Sequence, residues 1–497
     1  KGAVYAKQAL AVRPKSVLAL QLQADVLLMK HDVNGSLEAL KQARQVNPVD
    51  QGTLGRLAAC YYLLDAQRDV EAAEERVNHL FANLDAIDEG IPDSPTRLEE
   101  LIIEVARRNP KPGHFLTTFG EGLETRRKFS MAEKAYQQAM RVMPQLSAPK
   151  TQLGMLYMQT GRSKEAEQML DEAFNADPYH VRVSNMRKVL GVLSKYETIT
   201  TDHFVIRVDA ATDRVLGEYL AEYLEEVYTE LVTLYDFEPP HRTTFEIYHN
   251  AKGLSAHQWF SARMVGLPWI QTIGASTGMM VALSSPTATE TPYNWARVVK
   301  HEFVHVVTLQ QTRFNIPHWF TEALAVTSEN IPRPAVWNKL LLERVPAGKI
   351  WKLDELTQVF VRPETPLDWQ FAYCQSRLYA RYMIEKYGDA TIAKMLDAYR
   401  NNVPTNAAIE QVFGLPADDF HAGYVEFLNQ IVADELGGAV ASATKTISEL
   451  EKEHLAAPDD PAATAAYAEA LFNAKRRTQA RELAEAALAK NPKEPLA

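Results

Sequence analysis

The sequence predicts a multidomain, mainly α-helical protein in which helical repeats flank an α+β domain with a small mixed sheet. Three observations support this prediction: prolines recur at one fixed interval towards both ends, short β-type runs occupy the middle, and residues 301–305 read HExxH. A chain of 497 residues is too long for one hydrophobic core. Length alone predicts two or three units, and the patterns along the chain set their boundaries at residues 1–196, 197–436 and 437–497.

The N-terminal part shows a regular proline period. The interval from Pro14 to Pro48 is the same as that from Pro110 to Pro144 and from Pro144 to Pro178. It matches the period of about 34 residues that is typical of tetratricopeptide repeats, whose helix pairs form α-solenoids. Small residues recur where two helices of a pair must approach closely. The pattern predicts an N-terminal tetratricopeptide-like solenoid.

The same period resumes at the C-terminal end. Pro458 and Pro492 are separated by the same interval and follow a Gly437-Gly438 join. We expect a truncated repeat array over residues 437–497, and a capping helix at residues 181–196. Because the chain begins within a repeat and without methionine, we expect a fragment or a processed form. The compartment is left open, with a bacterial periplasmic or extracytoplasmic location slightly favoured over the cytoplasm.

The middle part changes from helical periodicity to strands. Residues 203–208, 244–248 and 279–283 are rich in β-branched, aromatic or apolar side chains and predict strands. Residues 211–235 predict a long amphipathic helix, and residues 337–436 are mostly helical in pattern. These segments predict the α+β unit that contains the HExxH motif.

The HExxH motif carries the chemistry of the sequence. On a helix, His301 and His305 lie on one face, so both imidazoles can reach one metal ion. Glu302 lies beside them, where it can take a proton from an activated water. Glu322 follows after a loop, on what we expect to be the next helix. Two histidines and one glutamate form the ligand set of a catalytic zinc site.

The helices around the motif have recognisable start signals. Thr291 and Pro292 predict the cap and first turn of the first helix, and Pro317 predicts the start of the second. The extended motif HExxHxxGxxH is excluded, because Thr308 and Gln311 stand where it requires glycine and histidine. The alternative interpretation is a structural His-Glu-His trio that binds no metal.

The HExxH motif followed by the segment WFTEALA resembles the gluzincin metallopeptidases, most closely the peptidase MA-like domains of bacterial repeat proteins. The resemblance covers about the middle half of the chain. It implies that His301, His305 and Glu322 are zinc ligands and that Glu302 is the general base. Ala323 stands where the family usually has glycine. Because alanine forms helices more readily than glycine, this difference favours the helix.

Other positions have weaker counterparts in the family. Val326 replaces an aspartate that orients a ligand histidine in thermolysin-type relatives, and Glu329 is a candidate substitute. The resemblance suggests Tyr373 as the donor to the oxyanion, although a purely structural aromatic ring explains it equally well. His318 is interpreted as a surface or structural residue.

The stretch from Gly274 to Leu283 precedes the HExxH helix. By resemblance, an edge strand here pairs with the substrate backbone. Aminopeptidases of this group place a glutamate in that strand, whereas residues 274–279 contain none. We therefore expect endopeptidase or oligopeptidase action. The alternative is a loop bracketed by glycines.

The leading hypothesis is a metallopeptidase with one Zn²⁺ per chain, whose repeat arrays recruit a protein substrate or partner. The alternatives are a binding scaffold with a catalytically silent peptidase-like domain, and a zinc hydrolase of non-peptide bonds. The net charge of −10, spread without long runs of one sign, argues against nucleic acid, which requires a concentrated basic face. No apolar run reaches transmembrane length. Cys60 and Cys374 are expected to be buried and unpaired.

Overall fold

A computed structural model describes residues 2–265, 272–436, 446–474, 476–494 and 496–497. Contacts within the chain define two compact units, Lys1–Phe314 and Asn315–Ala497. This division differs from the three parts expected from the sequence, whose boundaries stay predictions. The expected Gly437-Gly438 join lies outside the described residues.

The first unit begins with a series of helices. They are α1 (Gly2–Val12), α2 (Val17–Met29), α3 (Val33–Val46), α4 (Gln51–Ala66), α5 (Val70–Ala82), a 3₁₀ helix (Leu84–Gly90), α6 (Arg97–Arg108), α7 (Gly113–Thr125), α8 (Phe129–Val142), α9 (Ala148–Gln159), α10 (Ser163–Ala176) and α11 (Val181–Leu193). Several begin at a serine or aspartate whose side chain accepts a backbone N–H, as Ser16 and Asp50 do.

Glycines allow close packing within the helix pairs. A methyl group on Gly120 of α7 would lie 2.5 Å from the Tyr136 ring of α8. A methyl group on Gly154 of α9 would lie 2.7 Å from Leu170 of α10. Gly120 and Gly154 are separated by the same interval as the prolines, so the sequence period coincides with a repeated packing contact. Assignment of the helices to tetratricopeptide repeats stays a prediction.

A mixed sheet of five strands follows in the described part of the first unit. Its elements are β1 (Glu197–Thr200), β2 (Phe204–Val208), α12 (Arg214–Tyr235), β3 (Thr243–Tyr248), α13 (Ala256–Val265), β4 (Gly274–Ser276), β5 (Met280–Ser284) and α14 (Trp295–Gln311). The strand order is β1-β2-β3-β5-β4. The β2–β3 and β3–β5 pairs are parallel, whereas β1 and β4 pair antiparallel with their neighbours. β4 therefore forms one edge of the sheet.

The expected small mixed sheet is confirmed, with two additions. β1 was not predicted, because its four residues alternate between half-buried and exposed positions and form no apolar run. For the stretch that begins at Gly274, the sequence allowed either an edge strand or a loop. The structure shows a short edge strand, because Gly274, Ala275 and Ser276 pair with β5.

A buried ion pair joins the sheet to the helices that precede it. Arg263 of α13 and Glu246 of β3 lie 2.6 Å apart, and both are almost fully buried. The Arg263 guanidinium also donates to the carbonyl of Met158 in α9, at 2.7 Å. Desolvation on this scale is compensated only when each charge is paired and hydrogen-bonded. The contact fixes the sheet against the helical series.

The second unit is helical. Its helices are α15 (His318–Ser328), α16 (Ala335–Arg344), α17 (Leu353–Val361), α18 (Pro366–Tyr387), α19 (Ala390–Arg400), α20 (Thr405–Phe413), α21 (Ala417–Gln430), a π-helical turn (Ile431–Glu435), α22 (Ile447–Ala456), α23 (Pro461–Asn473) and α24 (Arg477–Lys490). α18 packs against α15, α17 and α21. Its Tyr379 stacks on Tyr424 with ring centroids 3.5 Å apart.

Two further expectations can be compared with the structure. Cys60 and Cys374 are both buried and form no disulfide, as their sequence context predicted. Burial raises the pKa of the Cys374 thiol to about 12 and that of Cys60 to about 11. Within the described ranges, no helix combines the length and apolar character needed to cross a membrane.

Candidate metal centre and active site

α14 carries the HExxH residues and begins at Asn294. The Asn294 side chain accepts the backbone N–H of Arg297 at 3.1 Å, which is the usual N-cap contact. The expected start at Pro292, with Thr291 as cap, is therefore wrong. Asparagine is a strong N-cap residue, and extended backbone angles at Asn294 allow its side chain to reach the first turn.

His301 and His305 converge as their spacing predicts. Their Nε2 atoms are 3.2 Å apart, and their rings meet edge to face with centroids 4.9 Å apart. Two ligands of a tetrahedral zinc ion at about 2 Å lie roughly 3.3 Å from one another. The separation of the two nitrogens therefore suits a shared ion. His305 is buried and His301 is half-buried.

Glu322 occupies the fifth position of α15. Pro317 immediately precedes this helix, so the start expected from the sequence is confirmed. The Glu322 side chain is buried, and its Oε1 lies 3.4 Å from Nε2 of His318, one turn earlier. This contact was not predicted, although the i, i+4 spacing on one helix would have revealed it.

The ligand atoms of His301, His305 and Glu322 all lie within 4.8 Å of one another. Two imidazole nitrogens and one carboxylate oxygen are the donor set of catalytic zinc sites. The set leaves room in the coordination shell for a water molecule or a substrate oxygen. These three residues therefore fit a zinc ion.

Glu302 follows His301 on α14 and lies close to the edge strand of the sheet. Its side chain is largely buried, and its Oε1 faces the α-carbon of Gly274 in β4. Burial, and then the charge of Glu302, raises the pKa of Tyr293 well above its usual value. The Tyr293 hydroxyl donates to the carbonyl of Ser284. No signal in the sequence singles out Tyr293.

Tyr373 lies on α18 and is half-buried. Its ring meets that of Phe360 edge to face at 4.9 Å, and Phe360 meets the His318 ring at the same distance. His318 in turn contacts Glu322. Tyr373 is thus linked to the candidate ligand Glu322 by two intervening side chains. Its role as an oxyanion donor stays a prediction.

Comparison with protein families identifies the part of the chain that contains these residues. Residues 284–430 match the family model of the peptidase MA superfamily. The match supports a peptidase MA-like domain and suggests a metallopeptidase. It includes the HExxH helix, Glu322 and Tyr373. No curated protein matches the chain.

Proposed function

We propose that this protein is a zinc-dependent metallopeptidase that cleaves within peptides. The observation that carries the proposal is the convergence of His301, His305 and Glu322, with Glu302 next to them on the same helix as the histidines. The peptidase MA match over this region supports the same reaction class. Each chain would hold one zinc ion through these three side chains.

Side chains of the protein would carry out the proton transfer. When bound, zinc would polarise the scissile carbonyl and lower the pKa of a coordinated water. A Glu302 carboxylate oxygen would take the proton from the attacking water and pass it to the leaving nitrogen. Burial of Glu302 limits competing water around this carboxylate. The Tyr373 hydroxyl is the proposed donor to the developing oxyanion.

The edge strand supports a peptide as the substrate. β4 pairs with β5 on one side, and an extended peptide can add to such an edge through backbone hydrogen bonds. Its residues Gly274, Ala275 and Ser276 carry no acidic group to hold a free amino terminus. This supports endopeptidase or oligopeptidase action. We further propose that the helical arrays recruit the protein substrate or a protein partner.

The deciding experiment measures zinc content and cleavage of a peptide library together. The wild type should hold about one zinc per chain and lose activity with a chelator. Glu302→Gln should keep zinc and lose about 10²–10⁴-fold in turnover. His305→Ala should lose both. Glu290→Gln, which alters an exposed carboxylate before α14, is the matched control and should behave as wild type.

The result can also contradict the proposal. A wild type with full zinc that cleaves no library peptide would identify a binding scaffold. Cleavage confined to ester or other non-peptide substrates would identify a different zinc hydrolase. Equal activity in Glu302→Gln and wild type would remove Glu302 from the mechanism.

A further inference from the structure

A cationic turn lies between α7 and α8, at residues 126–128. Arg126 is the C-cap of α7, Arg127 adopts a positive φ of 52°, and Lys128 precedes α8. Lys128 Nζ donates to the carbonyl of Arg313 at 2.9 Å, which brings a further cation to the same place. We call Arg126, Arg127, Lys128 and Arg313 the cationic turn cluster.

Arg126 is the unusual member of the cationic turn cluster. It is only 6% exposed, and its Nε has no hydrogen-bond partner in the part of the chain that the structure describes. Burial lowers its pKa to about 10, with no opposing contribution from a carboxylate. The end of α7 supplies only a partial negative charge. Desolvation of a charge that faces no carboxylate is unfavourable, so an anion bound beside Arg126 would be stabilising.

The neighbours of Arg126 add positive charge and little compensation. Burial, followed by the charges of Arg126 and Arg313, lowers the pKa of Lys128 to about 8. Burial, followed by the charges of Arg126 and Lys128, lowers the pKa of His31 to about 3. The charge of Glu74 raises the pKa of Lys128, but its effect is the smallest of those that act on Lys128. The field at this turn therefore favours an incoming anion.

The cationic turn cluster adjoins the edge strand. Arg127 donates to the carbonyl of Thr277, the residue that follows β4. Gly274, at the other end of β4, faces the carboxylate of Glu302. From Gly274 to Thr277 an extended chain spans about 10 Å, at roughly 3.3 Å per residue. A peptide added to β4 with its scissile bond near Glu302 would extend towards these cations.

We propose that the cationic turn cluster binds a carboxylate of the peptide substrate, about three to four residues from the cleaved bond. The spacing between the carboxylate and the cleaved bond, which we call the register, rests on the proposed peptidase function. The anion site itself is inferred from Arg126 and its neighbours. A peptide fits better than a nucleic acid, because the adjoining edge strand recognises backbone amides and the chain's net charge is −10. The carboxylate is either an acidic side chain or the peptide's C-terminus.

The first test measures binding without catalysis. Acetyl-glutamate amide should raise the melting temperature of the wild type at constant ionic strength, and acetyl-glutamine amide should not. Arg126→Met should lose this response and melt at or above the wild-type temperature, because an unpaired buried charge is removed. Arg97→Met, at an exposed arginine of α6, is the control and should respond as wild type.

An unresponsive wild type, an unchanged response in Arg126→Met, or a lower melting temperature of Arg126→Met overturns the site. If Arg126→Met does not fold, Arg126 has a structural role and the site is also overturned, unless Lys128→Met folds and loses the response.

The second test determines the register and the source of the carboxylate. Three blocked peptide series are compared: an acidic side chain with an amidated end, a neutral sequence with a free C-terminal carboxylate, and a fully neutral amide. One of the two series that carry a carboxylate should show about tenfold higher kcat/KM than the fully neutral amide. Arg126→Met should remove this difference. Equal cleavage of all three overturns the register. Retained binding without any cleavage would contradict only the peptidase function.

Discussion

Gly274 lies directly against the carboxylate of Glu302. A methyl group on Gly274 would lie 3.1 Å from Glu302 Oε1 and 2.7 Å from Leu283 Cδ2. Real side chains almost never approach a β-carbon as closely as Leu283 would, so any larger residue at this position requires the Leu283 side chain, Glu302 or the edge strand to shift. The contact joins the proposed proton carrier to the proposed substrate-binding strand.

The first prediction concerns this contact. Gly274→Ala should lower kcat by about tenfold or more, because overpacking of roughly 1–3 kcal/mol displaces Glu302 or β4. Zinc content should stay at the wild-type level, since the three atoms nearest to the added methyl group belong to Leu283, Glu302 and Val298 and not to a histidine. Gly191→Ala is the control, because nothing lies within 4 Å of a methyl group at that position. Unchanged kcat in Gly274→Ala would show that the contact with β4 does not position the Glu302 carboxylate.

The second prediction concerns His318, which contacts the Glu322 carboxylate. Groups that orient a metal ligand typically contribute about 10–100-fold to metal affinity. His318→Ala should therefore raise the zinc dissociation constant by about 10–100-fold, measured by competition with a chromophoric chelator. His241→Ala removes an exposed histidine and should leave zinc affinity unchanged. Equal affinity in both variants would make His318 a surface or structural residue, as expected from the sequence.

How much the sequence revealed depended on how local each contact is. The pairing of His301 with His305 follows from helix geometry alone. The position of Glu322 could be predicted because only one loop and the start of a second helix separate it from His305. The contact between Gly274 and Glu302 joins residues that are far apart along the chain. It depends on which strand forms the sheet edge and on how that strand meets α14. No periodicity encodes that arrangement.

Buried charges were equally hidden. Arg263 and Glu246 carry no distinguishing signal in the sequence, yet they form a buried pair at 2.6 Å. A single sequence does not show which charged residues the fold removes from water. The same holds for Arg126, which is buried at the end of α7, a helix that packs against α2 and α4 from much earlier in the chain. These positions become informative only once tertiary packing is known.

The third prediction concerns Tyr373. If its hydroxyl donates to the oxyanion, Tyr373→Phe should lower kcat by about 10²–10³-fold, with unchanged zinc content and little change in stability. The ring contacts with Phe360 and Trp369 are kept in this variant, so packing is preserved. Tyr219→Phe, at an exposed tyrosine, serves as the control. A Tyr373→Phe enzyme with wild-type kcat would leave Tyr373 a packing residue only.

The fourth prediction concerns acid stability and His421. Its Nδ1 lies 2.8 Å from the hydroxyl of the buried Tyr379, within hydrogen-bonding distance. Partial burial, followed by the charge of Lys352, lowers the pKa of His421 below its usual 6.5. The unfolded chain therefore binds a proton that the folded chain resists. This contribution to stability is complete above pH 6.5 and decreases as the pH falls below it.

His421→Gln should consequently be less stable than wild type at neutral pH, because the contact with Tyr379 is weakened. It should also lose less stability on acidification, because the titrating group is gone. Urea unfolding between about pH 8 and pH 5 measures both effects. His114→Gln, at an exposed histidine, should keep the wild-type pH profile. Parallel profiles for His421→Gln and wild type would mean that His421 takes up its proton equally in the folded and unfolded states.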